Sequence, residues 1–109
     1  MAEEREEIWH EFKDGVNMTR SELLKWLDTE QSQEVGDAKD GGESTGHQSG
    51  RRIAEILDTK KADLTDDDYS HMQKVNGYLS RHLAQRPSGD VTETRWRYSL
   101  MNWGHDPVK

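Results

Sequence analysis

Two adjacent arginines, Arg51 and Arg52, follow a glycine-rich polar stretch that begins at Gly41. The glycines predict a loop at about 37–49, and the apolar spacing after the arginines predicts a helix that Ser49 caps. Arginine is unfavourable in a first helical turn, because the helix dipole places partial positive charge there. The pair could therefore bind an anion such as phosphate at the helix start, or it could lie in an ordinary solvated turn.

A third role for this pair is structural, because a guanidinium group can bridge several acceptors at once. The long polar loop has few side chains able to pack it down, so something else must hold it. The C-terminal segment offers the Asp106 carboxylate and the free carbonyls at the end of the last helix. We expect at least one of Arg51 and Arg52 to clasp the loop to this segment.

Basic residues in the second half of the chain could bind nucleic-acid phosphates. Lys74, Tyr78 and Arg81 recur at i, i+4 and i+7 of a long predicted helix, so they share a face away from its apolar stripe. No side chains are set to read base edges, which predicts weak binding directed at the phosphate backbone. The alternative is an ordinary solvated face. The candidate phosphate-binding residues are Arg51, Arg52, Lys74, Arg81, Arg86, Arg95 and Arg97.

Several other kinds of chemistry are excluded or disfavoured by the sequence. The chain has no cysteine, which excludes disulfides, thiolate catalysis and cysteine-ligated zinc. Its five histidines form no HExxH motif, and no nucleophile elbow or nucleotide-binding loop is present. Asp66–Asp68 fits helix capping better than a calcium loop. We predict no enzymatic activity, no metal site and no cofactor, and we expect His71 and His82 to serve as packing or capping groups.

The elements that must position these residues are predicted to be helices, about five in all, in an all-α domain. Capping boxes are predicted at Thr19 with Glu22 and at Asp90 with Glu93, and Thr65 is predicted to cap the long helix. The predicted helices span about Glu3–Asp14, a second element from Thr19, 50–60, 65–86 and about Thr92–Trp103, with one more short turn in Thr29–Gly36.

The helical periodicity also predicts which side chains form the core. The second helix should bury Leu23, Leu24 and Leu27, and the last should bury Trp96, Leu100 and Trp103. The long helix should bury Met72, Val75, Leu79 and Leu83. The helices at 50–60 and 65–86 are predicted to form a central pair.

Length and charge limit the function classes. The chain has 109 residues, enough for one domain at 1–109, and a net charge of −7. Residues 1–50 carry 13 acidic and 5 basic residues, against 9 and 10 in residues 51–109. An acidic first half does not suit nucleic-acid binding over the whole surface, but a local basic face remains possible. The acidic start is unlike a signal peptide, and no apolar run could span a bilayer, so we expect an intracellular, cytoplasmic protein.

Four long strings in the chain resemble a known family. They are EFKDGVNMTRSELLKWL, GESTGHQSGRRIAEIL, LTDDDYSHMQKVNGYLSRHLAQRP and WRYSLMNWGHDP. In this order they resemble domain-of-unknown-function family 3140, over nearly the whole chain. The resemblance implies no reaction, ligand or site residue, although some members carry a provisional label of DNA-binding protein.

Two function classes follow from the sequence. The first is an accessory nucleic-acid-binding protein that contacts phosphates through the candidate residues. The second is a helical protein–protein interaction module without nucleic-acid binding, in which the acidic half or an exposed aromatic side chain meets a partner. They differ in geometry, because the first requires the basic residues to converge on one face instead of pairing with carboxylates inside the protein.

Overall fold

Six α-helices make up most of residues 2–35 and 45–109, which are the residues that the computed structural model describes. No strand occurs in this part of the chain, so the predicted all-α class is confirmed. None of these helices is long and apolar enough to cross a membrane. The helices are α1 (Ala2–Gly15), α2 (Arg20–Leu27), α3 (Glu30–Glu34), α4 (Thr45–Leu57), α5 (Asp66–Leu83) and α6 (Arg95–Asn102), with a 3₁₀ turn at Lys61–Asp63.

Side-chain caps fix the starts of α2 and α5, as the sequence predicts. The Thr19 hydroxyl accepts from the Glu22 N–H at 3.1 Å, and the Glu22 carboxylate accepts from the Thr19 N–H at 2.9 Å. Thr65 and Asp68 make the same reciprocal pair at 3.2 and 3.0 Å. Each box satisfies two backbone donors that a helix start leaves without partners.

The start of α6 differs from the prediction. The helix begins at Arg95 with Thr94 as its cap, and not at about Thr92 with a capping box of Asp90 and Glu93. The Asp90 carboxylate instead accepts from the backbone N–H of Thr92 at 2.9 Å and thereby forms a turn. This turn allows Val91 to be buried at 2% exposure, and that burial decides where the helix begins.

The core lies between two groups of helices. On one side α1 runs parallel to α5. The direction follows from three contacts that occur in the same order along both helices: Arg5 lies over the Tyr69 ring, Asn76 donates to the Ile8 carbonyl, and Gly15 contacts Leu79. On the other side α2 packs on α4, and α6 contacts α2, α3, α4 and α5. Helices α4 and α5 are consecutive and in contact, although each packs more extensively on another helix. The largest fully buried apolar side chains are Phe12, Leu23, Ile53, Met72, Leu100, Val75 and Val91.

Most of the predicted core residues are buried, including Trp96, Leu100 and Trp103. Two leucines are exceptions. Leu24 is 39% exposed because Leu23 and Leu27 already occupy the inner face of α2, and Leu24 lies about 100° around the helix from Leu23. Leu83 is 37% exposed because it lies one turn beyond Leu79, where α1 has already ended at Gly15.

The packing of Gly50 explains why the loop predicted at 37–49 extends too far towards the C-terminus. The described part of the stretch at 37–49 is helical from Thr45 onward, so Ser49 lies inside α4 and is not its cap. A Cβ atom at Gly50 would lie 2.5 Å from the Asn102 carbonyl oxygen and 2.6 Å from Leu27. The glycine therefore serves close packing of α4 on α2 and α6, which its sequence context does not distinguish from a turn. Residues 36–44 lie outside the described part.

We predict that Gly50→Ala destabilises the protein by about 1–3 kcal/mol, the usual cost of overpacking a core. Helix propensity alone would give the opposite sign. The matched control is Gly77→Ala inside α5, where a Cβ would approach only the flexible end of Arg81, at 3.2 Å. That variant should gain up to about 1 kcal/mol. Urea unfolding of both variants measures the difference, and equal effects would contradict this account of Gly50.

Candidate functional site

The position of Arg51 and Arg52 changes once α4 begins at Thr45. They lie in the second turn of the helix, away from the partial positive charge at its start. The electrostatic conflict that the sequence indicates is therefore absent. Arg51 is exposed and Arg52 is half-buried.

Arg52 has the structural role that we expected for at least one arginine of the pair, but with a different partner. Its Nη2 donates to Asp68 Oδ1 at 2.6 Å, and its Nη1 lies 3.6 Å from the Glu55 carboxylate. Asp68 also completes the capping box with Thr65 at the start of α5. Arg52 therefore ties α4 to the first turn of α5, and not to Asp106 as the sequence suggests for this arginine pair.

The expected clasp to the C-terminal segment exists, and Arg97 makes it. The Arg97 guanidinium binds both carboxylate oxygens of Asp106, each at 3.1 Å, and donates to the Thr92 carbonyl at 2.7 Å. Burial alone would raise the pKa of the Asp106 carboxyl, but the hydrogen bonds from Arg97 and from the Val108 N–H outweigh it and lower that pKa. Arg97 is thus a structural residue. Its closeness to Arg95 in the sequence does not indicate a shared role in phosphate binding.

Asn17 and His105 extend this clasp to the end of α1. Asn17 Nδ2 donates to the Asp106 carbonyl at 2.9 Å, and Asn17 Oδ1 accepts from the Asp106 N–H at 2.8 Å. His105 Nδ1 donates to the Gly15 carbonyl, at 2.6 Å. The sequence gives no sign of the participation of Asn17.

The remaining cationic candidates lie on the outside of the molecule. Lys74 and Arg81 are exposed on α5, about 200° and 180° around the helix from the buried Met72. Arg86 lies over the Trp96 ring at 5.4 Å, and Arg95 is exposed in the first turn of α6. We call Lys74, Arg81, Arg86 and Arg95 the outer basic strip.

Trp96 connects the end of α5 to Arg86 and Arg95 of this strip. Its indole N–H donates to the His82 carbonyl at the end of α5, at 2.7 Å. The Arg86 guanidinium lies over the Trp96 ring, and Arg95 immediately precedes Trp96 in the chain. The acidic helix α1 packs on the inner face of α5, through Ile8 and Asn76, and therefore does not cover Lys74 and Arg81 on the opposite face.

A cleft of about 510 Å³ opens between α4 and α5, beside the Lys74 end of this strip. Ser49 Oγ and His71 Nε2 lie 3.0 Å apart at its edge, within hydrogen-bonding distance. The pKa of His71 is lowered by burial first and then by the positive charges of Arg52 and Lys74. Among the residues whose side chains the structure describes, those that line this α4–α5 cleft are Gln48, Ser49, Arg52, Asp67, Ser70, His71 and Lys74.

Four roughly parallel rings form a row that begins at His71, the one ring of the row that lines the cleft. The His71 ring is parallel to Trp103 within 6°, Trp103 stacks on Tyr78 at 4.2 Å, and Tyr78 stacks on His82 at 5.0 Å. Both histidines therefore serve as packing groups, as predicted. Burial lowers the pKa of His82 as well, so both imidazoles favour the neutral form.

The α4–α5 cleft is not evident from the sequence, where Ser49 is interpreted as a helix cap. The missed signal is the spacing within each helix. Ser49 and Arg52 lie at i and i+3, and His71 and Lys74 do the same, so each pair shares one helix face. The pattern on α4 can be recognised only if the helix is taken to begin before Gly46 and Gly50, as it does in the structure.

Comparison with known proteins gives one match. A family model described as "Protein of unknown function (DUF3140)" matches residues 11–101. No curated protein and no solved structure matches the chain.

Proposed function

Because the chain belongs to the DUF3140 family, for which no function is described, we propose its function from its own surface. We propose that it binds nucleic acid weakly, through phosphate contacts of the outer basic strip. The observation that carries this proposal is the contrast among the seven cationic candidates. Arg52 and Arg97 form internal ion pairs, whereas none of the four strip residues pairs with a carboxylate in residues 2–35 and 45–109.

The expected affinity is low because the rest of the molecule opposes it. A net charge of −7 repels a polyanion at long range, so the strip binds only where its local field dominates. Lys and Arg contacts to phosphate release counterions, which makes such binding strongly dependent on salt. Only Gln73 and Gln85 are exposed amides next to these cations in the sequence, too few to read a set of base edges, so we expect little sequence preference.

We predict that Lys74→Ala combined with Arg81→Ala reduces the slope of log K against log [salt] by about 2, roughly one unit for each phosphate that the variant no longer neutralises. Fluorescence anisotropy with a labelled DNA duplex over a salt series measures this slope. The matched control removes one arginine and one lysine from α2, Arg20→Ala with Lys25→Ala, and should leave the slope unchanged. Both of these residues are exposed.

Two results would contradict the proposal. One is the absence of binding to duplex DNA at low salt, and the other is an equal change of slope in the α2 control. Either result would favour the interaction-module alternative, for which α2 offers the exposed Leu24 and also Trp26, whose ring packs at a tilt of 38° on Tyr98 with the centroids 5.3 Å apart.

A further inference from the structure

The α4–α5 cleft contains more hydrogen-bond donors than the fold requires. Arg52 uses Nη2 to bind Asp68, and its side chain is still 38% exposed. Lys74 is exposed and has no ion pair within the described part of the chain. Ser70 adds a hydroxyl to the same lining. A group of this kind suits a ligand that presents several acceptor oxygens in a small volume.

We propose that the α4–α5 cleft binds the phosphate group of a small phosphomonoester, with Lys74 and Arg52 as its cationic contacts and Ser70 as a hydroxyl donor. A volume of about 510 Å³ exceeds the needs of a phosphate group alone and leaves space for an organic part. This cleft shares Lys74 with the outer basic strip but extends away from it, because Arg81, Arg86 and Arg95 do not line the cleft.

The charges around His71 make its imidazole a reporter of this binding. Arg52 faces it from α4, Lys74, Asp67 and Asp68 surround it on α5, and α6 contributes the Trp103 ring. The cations help to keep this imidazole neutral, because they lower its pKa. A bound phosphate dianion has the opposite charge and should raise the same pKa.

Asp67 gives the proposal a test of sign. Its carboxylate lines the cleft with Lys74 and repels an anion there. Removing that charge should tighten phosphate binding, whereas removing the charge of Lys74 should weaken it. A cleft that selects cations would respond in the reverse order to the same two variants.

The experiment is an NMR titration of the histidine ring protons in the full chain, with the His71 signal assigned from His71→Gln. Inorganic phosphate, adenosine 5′-monophosphate and adenosine are added at constant ionic strength, with chloride as the reference salt. Both phosphates should raise the titration midpoint of His71 by roughly 0.5 pH unit or more, while adenosine should not. His82, which lies at the far end of the ring stack, should not respond.

Variants then test the assigned contacts. Lys74→Gln should weaken phosphate binding about tenfold, as expected for one charge-assisted contact, and Asp67→Asn should strengthen it. Lys60→Gln is the matched control, because Lys60 is an exposed lysine just beyond the end of α4 and does not line the cleft. It should change the affinity less than twofold.

Three results would overturn the proposal: an unmoved His71 midpoint, equal effects of Lys74→Gln and Lys60→Gln, or the reversed order of the charge variants. A duplex without terminal phosphates distinguishes the source of the phosphate. If that duplex shifts His71 and the monophosphate does not, the cleft belongs to the DNA-binding surface and this inference fails. If phosphate shifts His71 and the protein does not bind DNA, the proposed function fails alone.

Discussion

Asn102→Ala should lower the free energy of unfolding by about 3–5 kcal/mol, because it removes three hydrogen bonds from a buried position. Asn102 is 1% exposed. Its Oδ1 accepts from Trp26 Nε1 at 2.7 Å and from the Ser32 hydroxyl at 2.5 Å, and its Nδ2 donates to the Ser32 carbonyl at 2.9 Å. One side chain thus joins α2 and α3 to α6, and its loss leaves three buried polar groups without partners.

Urea unfolding followed by circular dichroism measures this loss, and a double-mutant cycle separates it from cavity formation. Trp26→Phe removes one donor and leaves the two bonds to Ser32 in place, so it should cost less than Asn102→Ala. The double variant should be more stable than the sum of the single effects indicates, because the two residues share a hydrogen bond. Additive effects, or a loss below about 1 kcal/mol for Asn102→Ala, would contradict the role of this side chain.

Leu79→Ala should cost about 2–5 kcal/mol, the range for a large-to-small change in a core. Leu79 is 3% exposed and lies against Gly15 of α1, which has no side chain that could fill the cavity. The control is Leu83→Ala, one turn further along the same stripe, where the side chain is 37% exposed.

Leu83→Ala should lower the free energy of unfolding by less than about 1 kcal/mol, because folding buries less of the apolar surface of Leu83 than of Leu79. Thermal unfolding of both variants checks the prediction. Similar losses at the two positions would mean that α1 covers more of α5 than the contacts at Gly15 indicate.

The features that the sequence predicts correctly depend on residues close together in the chain. The caps at Thr19 and Thr65 each need a hydroxyl and a carboxylate three residues apart, and the structure contains both. Period 3.6 places Met72, Val75 and Leu79 on one face, and that face is buried. Local chemistry is enough in these cases because all the interacting groups belong to one helix.

The predictions that fail depend on what each helix meets. Gly50 lies in a stretch that has the composition of a loop. The Asn102 carbonyl oxygen comes so close to it that only a residue without a side chain fits there. The prediction pairs the C-terminal carboxylate Asp106 with the wrong arginine because the sequence shows several candidates and no distances. The cleft combines these two errors, since it exists only when α4 begins early and when Arg52 points towards α5.

The clasp at Asp106 also bears on how the chain folds. Its bonds to Gly15 and Asn17 connect residues that are 90 and 89 positions apart. Closing a flexible loop of that length costs about 4 kcal/mol of chain entropy, more than two or three hydrogen bonds return by themselves. The clasp therefore depends on helices that have already assembled, and its formation belongs to the late, non-local stage of folding. The same dependence makes this segment a natural place for the native state to open first, without loss of the helical core.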